Sequence, residues 1–168
     1  MNRSQSTPPY ETYLRRRPDA WAILKSSTPY PQISGNVRFY EVPYGVLVVA
    51  EVHGLPFCDG ESSFFGFHIH EGSSCTGDVG DPLRRVGMHY NPRQASHPSH
   101  AGDLPPLLGA GGNAFSVFLT DRFRIDETIG RTVIIHSSPD DFTTQPAGGA
   151  GTKIACGEIV GARRHQTP

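Results

Sequence analysis

Seven side chains of metal-ligand type fall in ordered clusters along this chain: His68 and His70, then His89, then His97, His100 and Asp103, and last His136. A fold for this sequence has to bring them together or leave the clustering without a reason. The first pair sits in Gly66-Phe67-His68-Ile69-His70-Glu71-Gly72. Side chains alternate between faces in an extended strand, so His68 and His70 point one way while Phe67 and Ile69 point the other, toward a core. A nitrogen-rich set of four, His68, His70, His89 and His136, suits tetragonal copper. Three histidines with one aspartate suit a closed tetrahedral zinc site.

The rest of the composition narrows the setting. A chain of 168 residues is long enough for one sandwich or barrel with a real core and short for two. A formal net charge of -1, with no basic block interleaved with aromatics, gives no reason to expect nucleic acid as a partner. No apolar run approaches membrane-spanning length, and the N-terminal stretch has a basic cluster at Arg15, Arg16 and Arg17 but no apolar core of a secretory signal. No membrane is therefore expected as a partner, and the chain as it stands reads as cytoplasmic. Cys58, Cys75 and Cys156 cannot all pair within the chain, and free thiols are the default in a reducing compartment. None belongs to a CxxC pair, which sets aside a zinc ribbon or a thioredoxin-like redox site. The residues alone leave the pairing open.

Residues 1–19 are polar, Pro-bearing and without periodicity, and read as a flexible arm. The domain is expected over 20–161, followed by a flexible tail at 162–168. Short apolar or alternating runs recur within it: Trp21 to Leu24, Gly35 to Tyr40, Val46 to Val52, Phe64 to His70, Leu104 to Leu108, Ala114 to Leu119, Arg131 to His136 and Lys153 to Val160. Val42-Pro43-Tyr44-Gly45 and Gly109-Ala110-Gly111-Gly112-Asn113 read as tight turns. Eight short strands with such turns, and no convincing amphipathic helix, predict an all-β antiparallel sandwich or barrel. Two connections, roughly 71–102 and 137–152, exceed the usual length and begin directly after His70 and His136. Loops of that length without their own structure are usually functional.

These motifs resemble the copper/zinc superoxide dismutase family from about Trp21 to Val160. The resemblance is carried by Gly-Phe-His-Ile-His-Glu at 66–71, Gly-Met-His-Tyr-Asn-Pro at 87–92 and His-Ala-Gly-Asp-Leu-Pro at 100–105. Ile-Gly-Arg-Thr-Val-Ile-Ile-His at 129–136 and Ala-Cys-Gly-Glu-Ile at 155–159 complete it. It implies an eight-stranded Greek-key barrel with copper and zinc held outside it by two long loops. His68, His70 and His136 then resemble copper ligands, and His89 the imidazole that bridges both metals. His97, His100 and Asp103 resemble the remaining zinc ligands, although the segment between His97 and His100 is shorter than is usual in the family. Asp140 resembles the outer carboxylate that links a copper-bound to a zinc-bound histidine, and such contacts fix ring orientation. Cys75 and Cys156 match the family's intrachain disulfide, which would leave Cys58 free.

One position departs from the pattern. The family's active-site arginine lies three residues before the second disulfide cysteine, where this chain has Lys153. Lysine keeps a positive charge for superoxide but lacks the planar fork that positions an anion. The expected function is superoxide dismutation to oxygen and hydrogen peroxide by copper redox cycling, with a structural zinc and with His89 and Lys153 as catalytic residues. The alternative is a weakly active or inactive copper- and zinc-binding protein of the same fold. A homodimer is among the assemblies that the resemblance allows.

Overall fold

Inward-facing apolar residues at every second position build a curled antiparallel sheet. The computed structural model describes residues 9–27, 29–30, 32–57 and 63–162. Its strands are β1 (Ala20–Ser26), β2 (Ser34–Val42), β3 (Gly45–His53), β4 (Ser63–Phe65), β5 (Phe67–His70), β6 (Leu107–Gly109), β7 (Asn113–Thr120), β8 (Thr132–His136) and β9 (Lys153–Gly161). Seven of them form one sheet in the order β5-β8-β9-β1-β2-β3-β7, and β4 pairs with β6. Every pairing is antiparallel. β7 and β8 follow one another in the chain but stand far apart in the sheet, a crossover of Greek-key type. The β4–β6 pair lies between the two ends, since β4 runs on into β5 and β6 turns tightly into β7 through the Ala110–Asn113 bridge.

The expected strand from Phe64 to His70 is thus two strands, broken at Gly66 where the chain changes partner from β6 to β8. Counted as one continuous run they restore the expected eight. A side chain at Gly66 would sit 2.7 Å from Ala150 Cβ and 3.2 Å from His136 Cβ, so the change of partner happens at a position too crowded for one. The expected run from Leu104 to Leu108 contributes only Leu107–Gly109 as strand. Val42 pairs with Gly45 across the first predicted turn, which places the left-handed backbone at Tyr44 (φ 79°) as well as at Gly45 (φ 139°).

Alternation fills the barrel with Ala22, Leu24, Val37, Phe39, Val48, Val52, Phe67, Ile69, Ile135 and Ile154. Each large apolar side chain taken fully from water contributes roughly 1.5–3 kcal/mol before chain entropy is counted. β3 is apolar on both faces: Val48 and Val52 point inward, while Leu47 and Val49 form an outer patch with Tyr40 and Val42. Tyr13, from the short helix α1 (Glu11–Leu14), packs on that patch. Arg16 holds the same segment by donating to Glu41 O at 2.6 Å and to Asp19 Oδ2 at 2.9 Å. No helix among the described residues is long and apolar enough to cross a membrane. Cys58 lies outside the described residues, so the expectation that it is free goes no further.

Candidate metal centre

β5 and β8 are neighbours, and both turn alternate side chains out of the barrel. Phe67 and Ile69 are fully buried in the core while His68 and His70 emerge on the opposite face, as strand alternation requires. The long connection after His70 folds back along β5 like a further strand. Tyr90 N–H donates to Ile69 O, Ile69 N–H donates to Gly102 O and Gly102 N–H donates to Tyr90 O, each at 2.8 Å. That pairing sets His89 opposite His70 and Asp103 opposite His68. A register shift after Ile135 turns His136 toward the same place.

All seven predicted ligands are buried, and they form two sets that share His89. In each set, His68, His70, His89 and His136 or His89, His97, His100 and Asp103, the ligand-type atoms lie within 4.8 Å of one another. Hydrogen bonds occupy the outer nitrogens of several rings. His68 Nε2 donates to Asp140 Oδ2 at 2.7 Å, His70 Nδ1 to Gly87 O at 2.9 Å and His136 Nδ1 to Gly151 O at 3.2 Å. Asp140 also receives His97 Nε2 at 2.8 Å, so one carboxylate joins a ring of the first set to a ring of the second. The inner nitrogens of four rings, His68 Nδ1, His89 Nε2, His97 Nδ1 and His100 Nδ1, are buried without a hydrogen bond. His97 Nδ1 and His100 Nδ1 do lie 3.1 and 3.2 Å from Asp103 oxygens, but at angles unsuited to hydrogen bonding.

A buried polar atom without a partner costs about 1–3 kcal/mol. Four such atoms, turned inward beside a carboxylate, fit a pair of cations. The titration of the site agrees. Burial pushes His68 down to about 2 and His136 down to about 4, and burial with the neighbouring His136 holds His70 well below the ordinary histidine value. Burial alone would raise Asp103, but hydrogen bonds from His89 and the His100 N–H outweigh it and leave the carboxyl at about 2. Neutral imidazoles and an ionised carboxylate are the ligand forms metals require. The short segment between His97 and His100 still brings both rings into the second set.

Comparison with known proteins bears on the same residues. The family model described as copper/zinc superoxide dismutase matches residues 33–159. The chain belongs to the copper/zinc superoxide dismutase family. A relative from Legionella pneumophila, "Superoxide dismutase [Cu-Zn]", is 34% identical over 149 residues, which cover 84% of this chain and 86% of that protein. "Superoxide dismutase [Cu-Zn] 1" of Salmonella typhimurium is 31% identical over 140 residues, covering 74% and 76%. The solved structure of the Brucella abortus copper/zinc superoxide dismutase superposes with a TM-score of 0.70 at 26% identity, over 83% of this chain and 98% of that one. Copper and zinc are the metals of this family, and the two ligand sets accommodate one of each.

The family's remaining hallmarks are present with one local difference. Cys75 and Cys156 are joined as a disulfide, and with Leu83, Val86 and Ile134 they form a small apolar cluster that fixes the first long loop to the barrel. A cleft of about 710 Å³ opens over His70, His89 and His136, with Lys153 on its wall. The Lys153 ammonium is not free, however. It donates to Asp81 Oδ2 at 2.9 Å and to Leu83 O at 3.2 Å.

Three residues that support the site were not singled out from the sequence. Asp81 is one. Arg122 is another: its Nη1 donates to the carbonyls of Pro98, His100 and Asp103 at 2.6, 3.2 and 3.3 Å, and so gathers the backbone of the second ligand set. Gly148 (φ +65°) is the third, since a Cβ there would lie within 2.6 Å of both Asp140 Cγ and His97 Nε2. Only Gly148 left a trace in the sequence, inside the glycine-rich stretch 148–151.

Proposed function

We propose that His68, His70, His89 and His136 hold copper, that His89, His97, His100 and Asp103 hold zinc, and that Asp140 orients His68 and His97 between them. The reaction is dismutation: two superoxide anions and two protons give one dioxygen and one hydrogen peroxide. Bound copper supplies the one-electron couple for both halves, and zinc a closed structural site. His89 lies between the two sets, and a ring flanked by two cations can give up both nitrogen protons. Its Nε2 faces the first set and is the atom that takes up a proton and hands it to the reduced oxygen species. His68, His70 and His136, each fixed through its other nitrogen, would hold a bound copper in one place. Lys153 offers positive charge on the cleft wall.

The observation that carries this assignment is the four unpartnered inner nitrogens, divided between two sets that share one ring. Reconstitution should load one copper and one zinc per chain, and His70→Ala should lose copper while keeping zinc. Equal loss of both metals, or no copper uptake by the parent, refutes it.

The same reading takes residues 20–161 as the functional domain, with 1–19 and 162–168 outside it. A homodimer is supported by exposed apolar residues: Phe64 and Leu108 are cross-strand partners, and Phe115, Val117 and Leu119 line one face of β7. Light scattering of the parent and of Phe115→Glu tests that. Cytoplasmic residence remains the expectation of the sequence, while the Cys75–Cys156 bond favours an oxidising compartment; cell fractionation separates the two.

A further inference from the structure

Among the described residues that line the cleft, Lys153 and Asp81 are the two that carry full charges, and they are paired with each other. Apart from its histidines, the side-chain charge of the lining therefore sums to zero. Lys153 has three donors, and two are committed to Asp81 and Leu83. A guanidinium could bond the same wall and still present a fork to an anion, whereas this ammonium keeps a single donor. Asp81 does not approach by chance. Its Oδ1 accepts the Leu83 N–H at 3.1 Å, and its own N–H donates to Asp78 Oδ1 at 3.0 Å, so the carboxylate is fixed by its turn before the lysine reaches it. The Lys153 hydrogen bond also holds the Asp81 carboxyl below its ordinary range, and it is ionised at neutral pH.

We propose that Asp81 is an electrostatic brake on anion binding: it pins the Lys153 ammonium to the cleft wall and cancels its charge, so that the pair, and not the lysine alone, sets how strongly the copper face attracts superoxide. The inference rests on the copper assignment above. It makes Asp81 a positioning residue that acts through Lys153. It also shifts the source of any ionic-strength dependence of turnover to the bound metals, because the pair adds no net charge of its own.

Azide, a small monoanion, is the probe, titrated against the copper(II) protein and followed by its visible and electron paramagnetic resonance spectra. Asp81→Asn keeps an acceptor for Lys153 while removing the negative charge. It should tighten azide binding by roughly 2- to 10-fold and make turnover fall more steeply with salt than in the parent, because one positive charge is then uncompensated. Lys153→Gln should do the opposite, with weaker azide and a shallower fall of rate with salt than the parent. The double variant should return to the parent's affinity and salt slope. Asp81→Glu, which preserves charge, should stay near the parent. Equal or weaker azide binding in Asp81→Asn at full copper content overturns the brake alone. A parent that takes up no copper overturns the ligand assignment, and the brake with it.

Discussion

Breaking the Cys75–Cys156 bond should cost as much stability as a large-to-small substitution in the core, and the cost follows from the span it closes. The two cysteines are 81 positions apart, and the chain-entropy relation for a loop of that length gives about 4 to 5 kcal/mol at room temperature. For a domain of this size each kcal/mol lowers the melting temperature by about 2–4 °C, so the loss is about 8–20 °C. The measurement is calorimetry on metal-free protein, oxidised and reduced, beside a Cys75→Ala/Cys156→Ala double variant. Metal has to be absent because ligands that bind only the folded state would add their own stabilisation. A difference under about 3 °C between oxidised and reduced forms would refute the entropic reasoning. The bond also anchors the loop that carries Asp81 and Leu83 to the wall where Lys153 sits. Reduction should therefore loosen the hold on Lys153, read as a changed azide affinity, before it disturbs the His97–Asp103 segment, which is tied at Arg122.

Acid should destabilise the metal-free protein through its buried histidines. Their folded pKa values lie below the unfolded value of 6.5, so the unfolded chain binds more protons and stability falls as pH drops from about 6.5 through 4. His136 alone contributes up to about 3 kcal/mol of this, and chemical denaturation at pH 7 and pH 4.5 that gives equal midpoints would contradict it. Arg122→Ala should weaken zinc about 10-fold in copper-free protein while copper uptake holds, with Arg122→Lys recovering part of the loss; chelator competition reads both. Gly148→Ala should push Asp140 away from His97 and speed zinc release, and an unchanged release rate would show that the carboxylate can move aside without consequence.

The convergence of the histidines was legible because strand alternation and chain order are both written locally: Phe67 and Ile69 mark the inner face, and His68 and His70 follow from them. The eight runs were legible for the same reason. The break at Gly66 was not, because it depends on Ala150 and His136 crowding a backbone that is 70 to 84 residues away from them in the chain. Asp81 reaches Lys153 across 72 positions and Arg122 reaches Pro98 across 24, and no periodicity marks either. Nothing in their immediate sequence separates them from solvated surface charges. Lys153 was picked out for its charge, and only the folded loop reveals that this charge is already matched.

The docking of Tyr13 over Tyr40, Leu47 and Val49 carries a practical consequence for handling the protein. Proteolytic clipping near Arg15 to Arg17 would leave every barrel strand and every ligand histidine in place, so metal content and fold would look intact. It would also bare an apolar patch on the outside of β2 and β3, next to the apolar face of β7. Contiguous exposed patches of this kind promote self-association. A clipped preparation would then precipitate or run large on sizing while still assaying as sound, and the fault would lie in a segment remote from the chemistry.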